Sequence, residues 1–297
     1  MLSFTQEQIN EYERKKTVVQ GKIDRGEALT VEEQYFLCNG IVWGLRSTLP
    51  ECSDVFYYEA FMVRNDPRFR PPGLTYTEEN ERKFLQLVDD WDRRINSPRL
   101  TDPLMLAEQK EVRLAIKSVN REYGKQKHVY SDQYFITIAG SKFRYLLAQR
   151  IFQLDIKSDQ YLLSLNGQVV LFDYESCIHI LARHFGHGMK AFTSEKDHFY
   201  GVFRHSHLHL DFEEIFKAVD ESGLYVNDSI QDINFRYKGE IYKVFTADQK
   251  GSSNPQKRIA TFFPVSDSKI LSALESSYTE KGINKDLSIF VKNSFMR

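Results

Sequence analysis

Thiols are scarce in this chain. Its 297 residues include three cysteines, Cys38, Cys52 and Cys177, odd in number and far apart. No C-x-x-C pair occurs, which argues against a disulfide framework and a thiolate zinc site and fits reduced thiols in a reducing compartment. An excess of charge is missing too: 40 basic residues face 41 acidic ones. Nothing global therefore draws the chain to nucleic acid or to an anionic membrane, and any polyanion site has to be local. No uncharged apolar run approaches the ~20 residues that a spanning helix needs, so no membrane partner is expected. The first residues, MLSFTQEQINEYERKK, lack a basic stretch followed by an apolar one. They do not read as a secretory signal, and a cytoplasmic protein is expected.

Aromatic side chains, by contrast, are plentiful. With 22 Phe and 16 Tyr the chain has apolar mass for real cores, and its length suits two domains. Residues 5–25 read as a polar helix, and Thr30 with Glu33 opens a second. The stretch 48–76 carries four prolines and reads as ordered but irregular. Thr77 is the expected cap of a charged helix whose Phe84, Leu85, Val88 and Trp91 recur at three- to four-residue spacing. Another helix is expected over about 104–124, ending at Gly124.

Past Gly124 the pattern changes. Tyr134–Ile138 suggests a strand and SKFRYLLAQRIFQL a helix. QYLLSL-NG-QVVLF predicts a hairpin, because Asn166-Gly167 supplies the positive φ angles of a type I′ turn. Asp173 stands at the N-cap of ESCIHILARHF, FYGVFR (199–204) is a strand candidate, and Asp211 is the expected cap of DFEEIFKAVDESG. INFRYKGEIYKVFTAD predicts a second hairpin turning at Lys238-Gly239, and KRIATFFPV a strand stopped by Pro264. The expected fold class is α+β: a helical domain over 1–125, then an α+β domain over 126–297 with a mainly antiparallel sheet.

Seven of the eight histidines fall between His179 and His209. Imidazole titrates near physiological pH and is a common metal ligand, so this strip points to proton transfer or to a metal. His179 and His184 are five apart on a helix, about 140° around its axis, which is not the shared face of an i,i+4 metal pair. His205, His207 and His209 alternate, and on a strand they would share a face. With Asp211 they could ligate zinc or manganese, the alternative to a cofactor-free site.

Cleavage of RNA through its 2′-hydroxyl needs a base, an acid and cations for the phosphorane. Candidates are His179 and His184 as proton shuttles, Lys243, Lys257 and Arg258 as phosphate contacts, and Tyr242 or Thr261 as a positioning hydroxyl. Between Ile233 and Val265 six basic residues meet two acidic ones, a net of +4, where a phosphate backbone could dock. Tyr237, Tyr242, Phe262 and Phe263 are interleaved with them and could stack bases. The same alternation equally describes a half-solvated sheet. Cys177 reads as a small buried filler, Trp43 and Trp91 as core, and His128 as surface.

The segments DYESCIHILARHF, GEIYKVFTADQ and KRIATFFPV, over about 150–297, resemble the barnase–EndoU–colicin–RelE-like ribonuclease superfamily, particularly its phage- and toxin-associated branches. RIATFFPV is similar to the R-x-x-T-F-x-P closing strand of toxin members. The resemblance implies a helix packed on a curved antiparallel sheet, with His184 as base or acid, Arg258 as phosphate clamp and Thr261 as polar partner. It further implies an endoribonuclease acting on RNA as a toxin or as a phage or defence component. The helical half would then serve an inhibitor or other partner protein. A difficulty comes with it: Arg258 and Thr261 cannot face one side of a regular strand unless a bulge intervenes. The third reading is a non-catalytic module that binds nucleic acid or protein.

Overall fold

A computed structural model gives the architecture. It describes residues 77–184, 203, 207–225, 231–249 and 256–293, with scattered positions between 10 and 61. Trp43, Cys38, Cys52, His205, Lys250, most of the two helices expected before residue 48, and the strand expected at 199–204 apart from Phe203 lie outside the described residues.

Three helices come first: α1 (Glu78–Ile95), α2 (Pro103–Tyr123) and α3 (Lys127–Arg150). Thr77 caps α1 as its sequence predicts, its hydroxyl accepting from Asn80 N at 3.1 Å, and three glutamates in the first turn suit the positive end of the helix dipole. Asp102 caps α2, accepting from Leu104 N at 2.9 Å, with Pro103 in the first turn where its missing N–H costs nothing. The run Tyr134–Ile138, expected as a strand, lies inside α3 instead. Five aromatic and β-branched residues are too few to fix a period, and Thr137 relieves its own helix penalty by bonding back to the Gln133 carbonyl at 2.7 Å. The boundary expected at residue 125 falls in the short turn between α2 and α3.

The rest is a seven-stranded sheet with helices inserted. The elements are β1 (Gln160–Leu165), β2 (Gln168–Asp173), α4 (Tyr174–His184), α5 (Leu208–Ser222), β3 (Asp232–Tyr237), β4 (Glu240–Asp248), β5 (Lys257–Pro264), α6 (Ser268–Ser277), β6 (Tyr278–Gly282) and β7 (Leu287–Lys292). Strand order is β1-β2-β5-β4-β3-β7-β6. Every pairing is antiparallel except β2 with β5, so the α+β class holds with one parallel junction, the second from the β1 edge. Both predicted hairpins form. Asn166 and Gly167 take φ of 52° and 68°, and Lys238 and Gly239 take 49° and 91°, the left-handed geometry that matches strand twist.

The two sheet faces differ. Phe172, Phe235, Tyr242, Val244, Ile259 and Phe262 point to one side, where Phe212 of α5 meets Phe172 and Phe262 at ring separations of 5.6 and 4.9 Å. On the other side α4 packs against β5 and α2. A single apolar cluster runs from Phe84 in α1 to Ile289 in β7, joining helices and sheet. Among the described residues no helix is long and apolar enough to cross a membrane.

Candidate functional site

The helix α4 carries both candidate shuttles, and Asp173 starts it as expected: its carboxylate accepts from Ser176 N at 2.9 Å. Ile178, Ile180 and Leu181 of α4 are buried in the core, which leaves His179 and Arg183 on its half-open flank. Although 140° apart around the axis, His179 and His184 bring their rings to 6.3 Å between centroids.

Each is held by a different neighbour. His179 Nδ1 lies 3.0 Å from Glu111 Oε1 on α2, and Arg183 Nε donates to Glu111 Oε2 at 2.9 Å. Burial works against the Glu111 carboxylate, but His179 and Arg183 outweigh it and hold Glu111 below the ordinary carboxylate range. It therefore stays an anion that accepts from His179 Nδ1–H. His184 is buried and stacks on Phe263 at 5.2 Å, with Nε2 3.0 Å from Thr261 Oγ1 on β5.

The bulge that the resemblance required is present. Phe245 pairs with Thr261 and Thr246 with Ile259, which leaves Ala260 as an extra residue in β5. Ile259 and Phe262 are consequently both buried three apart, and Arg258, Thr261 and Phe263 all face α4. Arg258 Nη1 bonds Glu175 and lies 3.7 Å from Asp173, while Lys110 reaches Glu175 at 3.6 Å. Burial also opposes the Glu175 anion, and Arg258 and Lys110 overcome it, keeping its carboxyl below the usual range. The site thus gathers His179, His184, Arg258 and Thr261, with Lys243 beside them: it pairs with Phe263 across the strands and shares its face.

Two expected contacts lie elsewhere. Tyr242 points to the opposite face, packed on Phe203, Phe235 and Phe262, with its hydroxyl donating to Glu240 at 2.5 Å. Lys257 alternates with Arg258 to that same far face and pairs with Asp248 at 2.7 Å. The +4 patch is also largely neutralised. Arg236 pairs with Glu280 at 2.9 Å, Lys243 with Asp232 at 2.8 Å and Arg258 with Glu175. Those three acids sit outside the stretch 233–265, so counting charge along the sequence misses partners that come from neighbouring strands and from α4.

The described part of the His-x-His-x-His row, residues 207–209, is not a strand. α5 begins at Leu208, three residues before the expected cap Asp211, with His207 exposed at its N-cap position. His209 is two helical residues on, about 200° around the axis, buried edge-on against Tyr161 at 5.5 Å. Burial holds its imidazole below its ordinary pKa. His207 and His209 therefore diverge, and Asp211 follows on the first turn of the same helix. Among the described residues no group of three or more His, Cys, Asp or Glu could hold a metal ion. Cys177 is fully buried, and burial raises its thiol pKa, as suits a filler.

Glu111, Arg183 and Glu175 escape the sequence reading. A signal was there for Glu111. Along α2, Leu104, Glu108, Glu111, Ala115 and Val119 form one buried stripe, and two carboxylates on an apolar stripe must meet cations. No family model matches the chain, and neither a curated protein nor a solved structure is significantly similar to it.

Proposed function

We propose that the chain is an endoribonuclease that cleaves RNA by histidine acid–base chemistry without a metal. What carries the reading is the pairing of two imidazoles 6.3 Å apart, one aligned by a buried carboxylate and the other set against a strand hydroxyl. One imidazole takes the proton of the 2′-hydroxyl as the 2′-oxygen bonds to phosphorus. The other gives a proton to the departing 5′-oxygen as its bond to phosphorus breaks. The products are a 2′,3′-cyclic phosphate and a 5′-hydroxyl. Arg258 and Lys243 offer cationic hydrogen bonds to the phosphorane oxygens, and Thr261 fixes His184 in line with them. Because Arg258 is braced by Asp173 and Glu175 and Lys243 by Asp232, both are oriented before substrate arrives.

Incubating the full chain with an RNA oligonucleotide in chelator tests this. Cyclic-phosphate ends are expected, with no cut at a position whose ribose is replaced by 2′-deoxyribose. Cutting at the deoxy position, or cutting that stops in chelator, contradicts the proposal.

A further inference from the structure

The exposed cations of α1 and α2 are partnered differently. On α1, Lys83 meets Glu79 at 3.0 Å and Arg93 meets Asp89 at 2.8 Å, each one turn back. On α2, the exposed residues Lys110, Arg113, Lys117 and Arg121 fall within about 80° of one another around the axis. One turn before Lys117 stands Arg113, and one turn before Arg121 stands Lys117. Like charges at that spacing repel and weaken a helix. The carboxylates of α2 give no relief. Glu108 and Glu111 point inward to Arg144, His179 and Arg183, and Glu122 bonds Tyr123. Arg113, Lys117 and Arg121 have no hydrogen bond or ion pair among the described residues. In a chain of net charge −1, such a row of repelling cations calls for an anionic partner.

The row starts at the candidate site. Lys110 Nζ and Arg258 Nη1 converge on the same oxygen of Glu175, Oε2. From there α2 follows α4: Glu111 meets His179 and Arg183, and Ala115 packs on Ala182. Lys110 to Arg121 covers about 16 Å, in steps of about 4.5–6 Å. Those steps are close to the spacing of successive phosphates along one polynucleotide strand, and a single straight row suits one strand better than the two of a duplex. We infer that the solvent side of α2 holds the backbone of a single RNA strand, about one phosphate to each cation, and lays it alongside His179. The inference rests on the ribonuclease reading for the identity of that strand. Charge elsewhere favours the same side: α5, across the sheet, carries five acids against one lysine and repels a polyanion. The contacts are to phosphate alone, so they position the strand without reading its sequence.

Fluorescence anisotropy of the full chain with a labelled single strand of 2′-O-methyl RNA, about 12 nucleotides long, tests this across a range of salt concentrations. That probe keeps the phosphates and lacks the attacking hydroxyl. Changing Arg113, Lys117 and Arg121 together to Gln should weaken binding about tenfold or more. It should also shrink the slope of log affinity against log salt by about 2, near 0.7 for each cation. Lys83→Gln with Arg93→Gln on α1 should change neither. Should the triple variant fail to fold, Lys117→Glu, which can pair with both arginines and so favours the helix, should weaken binding about tenfold. An unchanged slope, an equal loss from the α1 pair, or no binding by the unaltered chain overturns the inference. So does a salt-sensitive dimer that the triple variant loses, which assigns the row to α5 of a second copy. RNA cut at one KM by the unaltered chain and the triple variant sinks this inference and spares the ribonuclease reading. Strand binding that the triple variant loses, with RNA left uncut by the unaltered chain, keeps the strand on α2 and removes that reading.

Discussion

Glu108 and Glu111 sit one turn apart on α2, both buried and both paired to cations, and they do different things. Glu108 meets Arg144 of α3 at 2.5 Å with both side chains sealed from solvent. The region around it is closed: Trp91 Nε1 donates to Ser141 Oγ at 2.9 Å, and Ser141 bonds Glu108 in turn. Glu111 meets His179 and Arg183, whose side chains keep 27% and 21% of their surface in water. One pair ties three helices together, and the other aims an imidazole at an open face. Solvent access on the cationic side, rather than ion pairing itself, separates the clamp from the site.

Several experiments break or sharpen that contrast. The largest effect on stability is expected for Glu108→Ala, which strands the Arg144 guanidinium in the core. It should cost about 3–5 kcal/mol in urea unfolding. A loss below about 1 kcal/mol would show that the pair is no clamp.

The pH dependence comes next, and its two signs are opposite. Burial pushes Glu108 up to about 7, against an opposing pull from Arg144. The folded chain then holds that proton more tightly than the unfolded one. Its contribution is full below the ordinary value of 4.5 and is lost as pH rises toward 7, on the order of 2–3 kcal/mol. Glu111 is held low, so its contribution is present above the ordinary carboxylate range and disappears as pH falls into acid. Unfolding midpoints across pH should lose their neutral slope in Glu108→Gln and their acid slope in Glu111→Gln. The same slopes in both variants would contradict the assignment.

Activity should sort the two carboxylates in the other direction. Glu111→Gln should lower RNA cleavage about tenfold or more and displace its pH profile, because His179 loses its aligning anion. On the proposed mechanism Glu111 acts through His179, as a positioning residue. An unchanged profile would make it purely structural. The smallest effect belongs to Thr77→Ala at the cap of α1: about 1 kcal/mol in stability with cleavage per folded molecule unaltered.

Local chemistry was legible in the sequence wherever a feature closes within a few residues. Thr77, Asp173, Asn166-Gly167 and Lys238-Gly239 all do what their side chains or φ angles require. What escaped depends on partners far along the chain. Glu111 gains its meaning from His179, 68 residues away, and Arg258 from Glu175, 83 away. Tyr134–Ile138 and the described end of the histidine alternation, His207 and His209, failed for a different reason. Five residues are too few to tell one period from another, and the packing of α3 on α1 and α2 decides against strand for the first. For the second, Leu208 and Phe212, four apart and both buried, are the helical signal that the histidines obscured. A bulge at Ala260 is what lets Arg258 and Thr261 share a face, and only the pairing with β4 shows it. The parallel junction of β2 with β5 had no sequence signal.

The most direct measurement is the cleavage rate of single-stranded RNA by the full chain, in chelator, beside its His184→Ala and His179→Ala variants of equal unfolding midpoint. Rates about 10²–10⁴-fold lower in each variant are predicted, the loss that follows removal of an acid or a base. RNA left intact by the unaltered chain, or cut as fast without His184, would contradict the account.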